Sequence, residues 1–492
     1  DMLAMLPFPS DIRPAPARPV VVGSQRRWPP APLLGLAATA ILVLGLFIAS
    51  GASMLGFASG LLPVFDSSTP INSVAVLPFA NMSADESSTY FSDGLADTLL
   101  HMLAQIREIR VAARTSSFQF RDQNTDITKI AAALNVGTVL EGSVQKAGNK
   151  IRVTAQLIEA DTGYHLWSGN YDRDLDDVFA IQDEIANEVV SALKISLLGE
   201  SAEKLAEHDT DNVAAYTEYL LGINDMNEFS FESMRRAEQR FLNAVRADPG
   251  YDVAWARLGE LYLRMADYGA GDAREMDEKA RDAASKALDI EPRSANAIAV
   301  LATVERNQGN LEMAEQLYMR AIDLGPNETA PRQGLARILQ NRNERQEAIA
   351  LLEAALALDP LSTNVHFLLA DQYQVLSDYD RAMEHISKIR EIQPESPLSW
   401  YAGADIEFER GDWAQALLSY LRAHELDPDD PEVATGIAQR YLALGMPEEA
   451  QKWFDRSVEI DASHPVARSA PLAMYLYYER TSPCLLYTSD AA

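Results

Sequence analysis

The sequence predicts a multidomain protein with one transmembrane helix, a small α/β domain and an all-α superhelical solenoid. Three observations support this fold class. Pro292, Pro326, Pro360, Pro394 and Pro428 stand 34 residues apart, and a fixed period of this size is typical of stacked repeats. An uncharged apolar stretch lies near the amino terminus, and the residues between it and the repeats alternate between strand-like and helix-like patterns.

Each period of the repeat predicts two amphipathic helices. An alanine stands twelve residues before each proline, and apolar or small residues follow it in most copies, as at Ala348, Leu352 and Ala355. Spacings of four and three residues place such side chains on one helix face. Proline cannot continue a helix, so it closes each unit and turns the chain. The first half of each period carries a second apolar stripe, which completes a helical hairpin.

This pattern resembles the tetratricopeptide repeat (TPR). Trp255, Leu258, Gly259 and Tyr262 match its Trp-x2-Leu-Gly-x2-Tyr signature. We predict a TPR solenoid of about seven repeats over residues 211–470. The resemblance implies that the first helices of the repeats line a concave groove, and such grooves bind extended segments or helices of partner proteins.

The predicted partner-binding groove consists of the side chains at the positions that the family directs inward. They are rich in amides and aromatic rings, which suits hydrogen bonds to a partner backbone and a few apolar anchors. The Lys/Asn clamp with which some relatives bind a C-terminal carboxylate is not present as a set. The alternative is that these residues only solvate the surface. The predicted groove residues are Asn296, Arg306, Gln333, Arg337, Gln340, Asn364, Phe367, Asp371, Gln374, Tyr401, Asp405, Phe408 and Gln439.

The amino-terminal region predicts a membrane anchor. Residues 1–30 are rich in proline and arginine, which is typical of a disordered linker. No charged residue occurs from Pro29 to Phe65, and about 20 apolar helical residues cross a hydrocarbon core. A cleaved signal peptide is the alternative, although its apolar core is shorter and lies closer to the amino terminus. We predict a transmembrane segment at residues 31–65.

Charges flanking this segment predict its orientation. Arg26 and Arg27 precede it and Asp66 follows it. The positive-inside rule then places the amino terminus in the cytoplasm and everything after residue 66 in the periplasm. We therefore expect a single-pass protein of the bacterial inner membrane.

Residues 71–200 predict a small α/β layer domain. An apolar strand at 73–79 precedes a helix at 90–105, and a second strand is predicted at 109–114. Asp126 can cap the next helix. Two alternating strands, 138–146 and 151–159, flank a turn at Gly148, and a helix at 179–198 closes the domain. The predicted order is β-α-β-α-β-β-α.

Several short segments of this domain are similar to the amino-terminal domain of TolB and to the FlgO-like domain. They are Val-Ala-Val-Leu-Pro-Phe at 74–79, Tyr-Phe-Ser-Asp-Gly-Leu at 90–95, Leu-Glu-Gly-Ser-Val at 140–144 and Tyr-His-Leu-Trp-Ser at 164–168. In that family the module stands between a transmembrane segment and TPRs, behind a winged-helix domain in CadC-like regulators or a class III cyclase. The resemblance implies the receiving half of such a protein, without its amino-terminal output domain.

Composition and motifs argue against chemistry in this chain. The net charge is −30 over 492 residues, which disfavours nucleic-acid binding. Cys484 is the one cysteine, so neither an intramolecular disulfide nor a cysteine-based metal site is expected. The sequence has no phosphate-binding loop, dinucleotide fingerprint, zincin motif or nucleophile elbow. We expect a protein-binding scaffold that is not an enzyme and has no cofactor or metal.

Two groups of side chains weakly resemble metal sites, and the carboxyl-terminal segment has an artificial sequence. Asp172, Asp174 and Asp176 are spaced like calcium ligands, but Asp177 stands where the loop needs glycine, so an acidic helix start is preferred. His366 and His385 share one repeat, and isolated surface histidines are the simpler interpretation. Residues 484–492 look like a translated sequencing adapter, and we therefore expect the chain to be a fragment of a longer reading frame.

Overall fold

The computed structural model describes residues 72–85, 88–121, 123, 125–193, 210–228 and 230–465. The predicted linker at 1–30, the predicted transmembrane segment at 31–65 and the adapter-like residues 484–492 lie outside these ranges. Among the described residues, no helix has both the length and the apolar character needed to cross a membrane. The described residues form a small mixed α/β layer followed by a solenoid of helical hairpins.

The α/β layer contains six strands and four α-helices among the described residues. Short 3-10 turns occupy Phe118–Phe120 and Leu175–Asp177. In chain order the elements are β1 (Ser73–Val76), β2 (Ala80–Asn81), α1 (Thr89–Ala104), β3 (Arg110–Val111), α2 (Arg114–Ser117), α3 (Ile127–Leu134), β4 (Thr138–Ala147), β5 (Lys150–Glu159), β6 (His165–Asp174) and α4 (Val178–Ala192).

The strands form one mixed sheet in the order β3-β1-β4-β5-β6, and β2 pairs with β4. β1 is parallel to both β3 and β4, whereas β4, β5 and β6 are antiparallel. The predicted hairpin at Gly148 is confirmed, since Ala147 of β4 pairs with Lys150 of β5. Gly148 has φ of +61°, a conformation that glycine adopts without steric cost.

Helices cover both faces of this sheet. α1 and α4 pack on one face through side chains such as Leu95, Leu99 and Ile185, against Val76 and Leu140. The shorter α3 packs on the other face against a smaller core. The predicted cap of α3 is confirmed, because the Asp126 side chain accepts a hydrogen bond from the Thr128 amide at 2.8 Å.

The strand β6 is absent from the predicted order. Its sequence, HLWSGNYDRD, has Gly169 and Asn170 at its centre, and Tyr171 is its one buried residue. β6 pairs with β5 alone, so little of it is buried and it lacks the apolar alternation of an inner strand. Cross-strand ion pairs, Arg152–Asp172 and Lys150–Asp174, occupy two of the aspartates considered for calcium.

The solenoid consists of seven consecutive helical hairpins within the described residues. The two helices of each hairpin contact each other, and each second helix packs on the first helix of the next hairpin. The hairpins are α5 (Val213–Met226) with α6 (Phe231–Ala247), α7 (Asp252–Asp267) with α8 (Ala273–Ile290), α9 (Ala295–Asn307) with α10 (Leu311–Leu324), α11 (Ala330–Asn341) with α12 (Arg345–Leu358), α13 (Thr363–Val375) with α14 (Tyr379–Ile392), α15 (Pro397–Arg410) with α16 (Trp413–Leu426), and α17 (Pro431–Ala443) with α18 (Pro447–Asp461).

Small residues set the distance between helices of neighbouring hairpins. The ring of Tyr318 in α10 lies so close to Gly334 in α11 that a Cβ there would come within 2.3 Å of it. Tyr420 in α16 and Gly436 in α17 repeat this contact, with a corresponding distance of 2.2 Å. Each tyrosine is buried against the next first helix, so the glycine allows an aromatic ring to fill the joint between repeats.

Candidate partner-binding groove

The predicted groove residues lie along five successive first helices, α9, α11, α13, α15 and α17. Successive first helices in the described chain also touch each other, as α7, α9 and α11 do. Arg337, Asn364, Asp371 and Gln439 are exposed, and the other predicted groove residues are half-buried. Some contact one another or their neighbours: Asn364 donates to Gln333 at 2.6 Å, Gln372 donates to Asp371 at 2.7 Å, and Arg440 donates to Gln439 at 3.3 Å.

Aromatic side chains form the downstream part of the groove. Phe367 on α13 and Tyr401 on α15 are both half-buried against the hairpin cores. Tyr401 stacks near Tyr420, with ring centroids 6.5 Å apart, and Phe408 lies 6.2 Å from the exposed ring of Trp413. Rings fixed in this way expose one face at little entropic cost, as binding anchors require.

The side chains of Asp405 and Arg440 form an ion pair beside these rings. Asp405 accepts a hydrogen bond from the Tyr420 hydroxyl at 2.9 Å and forms an ion pair with Arg440. The Arg440 guanidinium also lies 4.5 Å from the centre of the Phe408 ring and 4.7 Å from that of Tyr420. Burial raises the pKa of Tyr401, and the carboxylates of Glu432, Asp430 and Asp405 raise it further. The downstream groove therefore combines aromatic rings with an ion pair that is neutral overall.

Two arginines stand at the upstream end of the groove. Arg306 on α9 is half-buried and donates to Asn307 at 3.1 Å, whereas Arg337 on α11 is exposed. Further along α11, the amide nitrogen of Gln340 is buried and has no hydrogen-bond partner. The groove therefore carries two arginines on α9 and α11, whereas aromatic rings and the Asp405–Arg440 pair occupy α15 to α17.

Helix α1 of the α/β layer covers the first helix of the first hairpin. The Tyr216 hydroxyl of α5 lies 3.0 Å from the Thr98 hydroxyl of α1 and accepts a hydrogen bond from Gln182 at 2.6 Å. Leu220 packs against Gly94, where a Cβ would come within 2.3 Å of the leucine side chain. One apolar core runs without interruption from the sheet into the first three hairpins. The α/β layer and the solenoid thus form one compact unit.

Turns between later repeats extend this contact. The Asn327 amide donates to the carbonyls of Ala104 at 2.9 Å and Ile109 at 3.0 Å, and its oxygen accepts from the Val111 amide at 3.2 Å. In the next turn between hairpins, before α13, Asp359 accepts hydrogen bonds from the hydroxyls of Thr115 and Ser116, each at 2.5 Å. The α/β layer is therefore attached to the turns before α11 and α13 as well as to α5.

A cavity of about 290 Å³ lies between α1 and the first helices α7 and α9. Its lining includes His101, Asp252 and Glu328, and also Asn296, the most upstream of the predicted groove residues. Burial raises the pKa of Asp252 to about 6 and also raises the pKa of Glu328. Asn296 therefore lies beside the α/β layer and away from the aromatic part of the groove.

His366 and His385 are neighbours and bond to each other. Their Nδ1 atoms are 2.9 Å apart, and the His366 Nε2 lies 3.0 Å from the Pro360 carbonyl oxygen. Burial, followed by the nearby His366, lowers the pKa of His385 to about 4. In the described part of the chain, no three histidine, cysteine or carboxylate side chains are arranged to hold a metal ion.

Comparison with known proteins identifies the repeats. A family model described as tetratricopeptide repeat matches residues 342–406 and 407–470. The carboxyl-terminal hairpins are tetratricopeptide repeats. The TPR resemblance of the sequence is thereby confirmed, and TPR domains bind peptide or protein partners.

A curated protein and several solved structures are also similar to this chain. A protein of Rhizobium meliloti (strain 1021) named putative adenylate cyclase 3 is 37% identical over 191 residues, which cover 39% of this chain and 32% of that protein. The chain thus spans about a third of that relative's length. The solved structures include PilF of Pseudomonas aeruginosa (18% identity, TM-score 0.38, covering 45% of this chain and 96% of that one). They also include the TPR protein YrrB (18% identity, TM-score 0.32, 39% and 99%).

Sequence reasoning missed the residues that join the α/β layer to the solenoid. Asn327 and Asp359 occupy the turns between repeats, where an amide or acid is common for local reasons. A weaker signal was available for the groove: Tyr318–Gly334 and Tyr420–Gly436 share the same spacing of 16 residues. This spacing marks the joints at which Thr303, Asp405 and Arg440 contact a buried tyrosine.

Proposed function

We propose that the downstream groove binds an extended segment of a partner protein. The observation that carries this proposal is how the same face is used upstream. His101 and Ala104 of helix α1 line a cavity with Ala256 of α7 and with the predicted groove residue Asn296 of α9, so another element of the chain already lies against these first helices. On α13 and α15, Phe367 and Tyr401 remain partly exposed.

Replacing two aromatic anchors tests this function. Wild-type protein, panned against phage-displayed random dodecapeptides, is expected to enrich peptides with apolar anchors. Phe367→Ala combined with Tyr401→Ala is expected to weaken binding of those peptides at least 30-fold, since the loss of even one aromatic anchor costs about 2 kcal/mol or more.

A matched variant separates binding from folding. Phe231 and Tyr268 match the two replaced residue types, and both are exposed outside the groove. Phe231→Ala combined with Tyr268→Ala is expected to bind like wild type, and both double variants are expected to keep the wild-type helical content. Equal affinity of all three proteins for the enriched peptides contradicts the proposal.

We also propose that the scaffold is anchored in the bacterial inner membrane and faces the periplasm. The uncharged residues 31–65 and the preceding Arg26 and Arg27 support this location. Alkaline phosphatase fused after Leu198 is expected to be active in the membrane fraction. Activity in the soluble periplasm indicates a cleaved signal peptide, and activity of a cytoplasmic reporter at the same point contradicts the orientation.

A second candidate function is the receiving half of a signalling enzyme or regulator. The α/β layer would then be a TolB/FlgO-like sensory module, with a nucleotide cyclase or a winged-helix domain as the output domain. The similarity to a protein named putative adenylate cyclase favours the cyclase. The coding sequence upstream of Asp1 tests this candidate. Metal-binding aspartates of a class III cyclase would support the enzyme, and a winged helix would support the regulator. If neither domain is encoded there, only the scaffold function remains.

A further inference from the structure

Arg306 and Arg337 lack an acidic partner within the described chain. Arg306 bonds to Asn307 alone, and Arg337 is exposed and forms no ion pair with any described residue. By contrast, the nearby Arg281 and Arg342 pair with Glu305 and Glu315 at 2.6 and 2.7 Å. The chain carries 72 acidic and 42 basic side chains, and these two neighbouring groove arginines are left available for an anion from outside the chain.

A buried tyrosine brings the two arginines together. The Tyr318 hydroxyl lies 2.9 Å from the Thr303 hydroxyl on α9, and its ring rests on Gly334 of α11. Arg306 follows Thr303 by three residues, and Arg337 follows Gly334 by three, a spacing that keeps each pair on one helix face. Arg306 and Arg337 therefore lie on the two helices that Tyr318 joins, on the faces that carry Thr303 and Gly334. Burial raises the pKa of Tyr318, and the charges of Arg306 and Arg337 oppose that rise.

The same joint recurs three periods later with a carboxylate in it. Tyr420 and Gly436 correspond to Tyr318 and Gly334, and Asp405 corresponds to Thr303. The Asp405 carboxylate accepts a hydrogen bond from Tyr420 at 2.9 Å and pairs with Arg440. Position 405 thus shows how an anion fits against this tyrosine–glycine joint, and position 303 offers a neutral hydroxyl in its place.

We propose that a glutamate or aspartate side chain of the partner segment binds between Arg306 and Arg337. Guanidinium groups bind carboxylates through charge-assisted and often bidentate hydrogen bonds. The aromatic anchors Phe367 and Tyr401 lie on the following first helices, so the segment is acidic at one end and apolar at the other. This subsite rests on the proposed function, because the same partner segment occupies both parts of the groove.

Matched peptides test the subsite. Dodecapeptides from the enriched set are synthesised with acetylated and amidated ends, which removes their terminal charges. Each position in turn is replaced by Glu in one peptide and by Gln in its pair. Wild-type protein is expected to prefer Glu about tenfold at one end of the bound register, which corresponds to one charge-assisted hydrogen-bond pair. Arg306→Gln combined with Arg337→Gln is expected to remove the preference while leaving the melting temperature unchanged. Arg320→Gln combined with Arg422→Gln makes the same charge change at exposed sites outside the groove and is expected to keep it.

A third variant uses the internal comparison directly. Thr303→Asp places a carboxylate where Asp405 stands three periods later. It is expected to pair with Arg306 or Arg337, to raise the melting temperature and to abolish the Glu preference. An unchanged Glu preference in this variant contradicts the proposed position of the bound carboxylate.

The outcomes distinguish the subsite from the function on which it rests. Binding that depends on Phe367 and Tyr401 but shows no Glu preference overturns the subsite and leaves the groove function intact. A preference that survives in the Arg306/Arg337 variant, or that is lost equally in the Arg320/Arg422 control, also overturns it. If wild-type protein enriches no peptide at all, both proposals fail.

Discussion

Removal of the Asn327 side chain is expected to loosen the α/β layer from the solenoid. This one amide makes three hydrogen bonds to backbone groups of the α/β layer, at Ala104, Ile109 and Val111, with lengths of 2.9 to 3.2 Å. Asn327→Ala leaves one amide and two carbonyl groups without these partners. Each hydrogen bond contributes roughly 1 kcal/mol, and a group left buried and unpaired costs somewhat more. We therefore expect the free energy of unfolding to fall by about 2–4 kcal/mol.

Urea denaturation measures this loss, and amide hydrogen exchange shows where it occurs. The Val111 amide donates directly to Asn327, so its exchange is expected to accelerate, whereas amides inside α15 and α17 keep their wild-type rates. Asn364→Ala is the matched control, because Asn364 is exposed and bonds to Gln333 alone; its cost is expected to stay within about 0.5 kcal/mol. Equal unfolding free energies and equal Val111 exchange in the two variants refute the docking argument.

Three further predictions concern packing and pH. Gly334→Ala introduces a Cβ 2.3 Å from the Tyr318 ring and is expected to lower the free energy of unfolding by about 1–3 kcal/mol, measured by urea denaturation. Tyr216→Phe removes the hydroxyl that bonds Thr98 and Gln182 and is expected to cost about 1–3 kcal/mol in the same assay; no change contradicts the buried network. The pKa of His385 is lowered to about 4 from about 6.5 in the unfolded chain, so the unfolded state binds more protons between these values and stability falls as pH falls through this window. His385→Asn is expected to flatten the dependence of the unfolding free energy on pH between 6.5 and 4, and an unchanged slope refutes the assignment.

The repeat architecture was predictable because it is local and periodic. Prolines 34 residues apart end the helices, and alanines at fixed spacing such as Ala348 and Ala355 are fully buried. Beyond the first three hairpins, which share a core with the α/β layer, each hairpin buries its apolar stripe mainly against its neighbours, so the pattern within about two periods already contains the contacts that matter. The hairpin at Gly148 and the cap at Asp126 were predictable for the same reason.

Elements with weak local signals were not predictable. β6 is an exposed edge strand with Gly169 and Asn170 at its centre, and it depends on its pairing with β5 rather than on its own apolar pattern. The candidate groove residues on the first helices followed from the repeat register. Their division into a positive upstream end and an aromatic downstream part depends on which side chains find partners. Asp405 neutralises Arg440, whereas Arg306 and Arg337 lack such a partner within the described chain.

The sequence by itself determined the hairpins, their register and the side chains that they present, because helix periodicity and proline act over a few residues. The tertiary structure alone decided how the α/β layer attaches to the solenoid. The hydrogen bonds that Asn327 donates to Ile109 and that Asp359 accepts from Thr115 join residues more than 200 positions apart, and no local pattern specifies such a contact. It also decided that α1 covers the first hairpin and leaves Phe367 and Tyr401 partly accessible, because a surface stays accessible only where no other element packs on it.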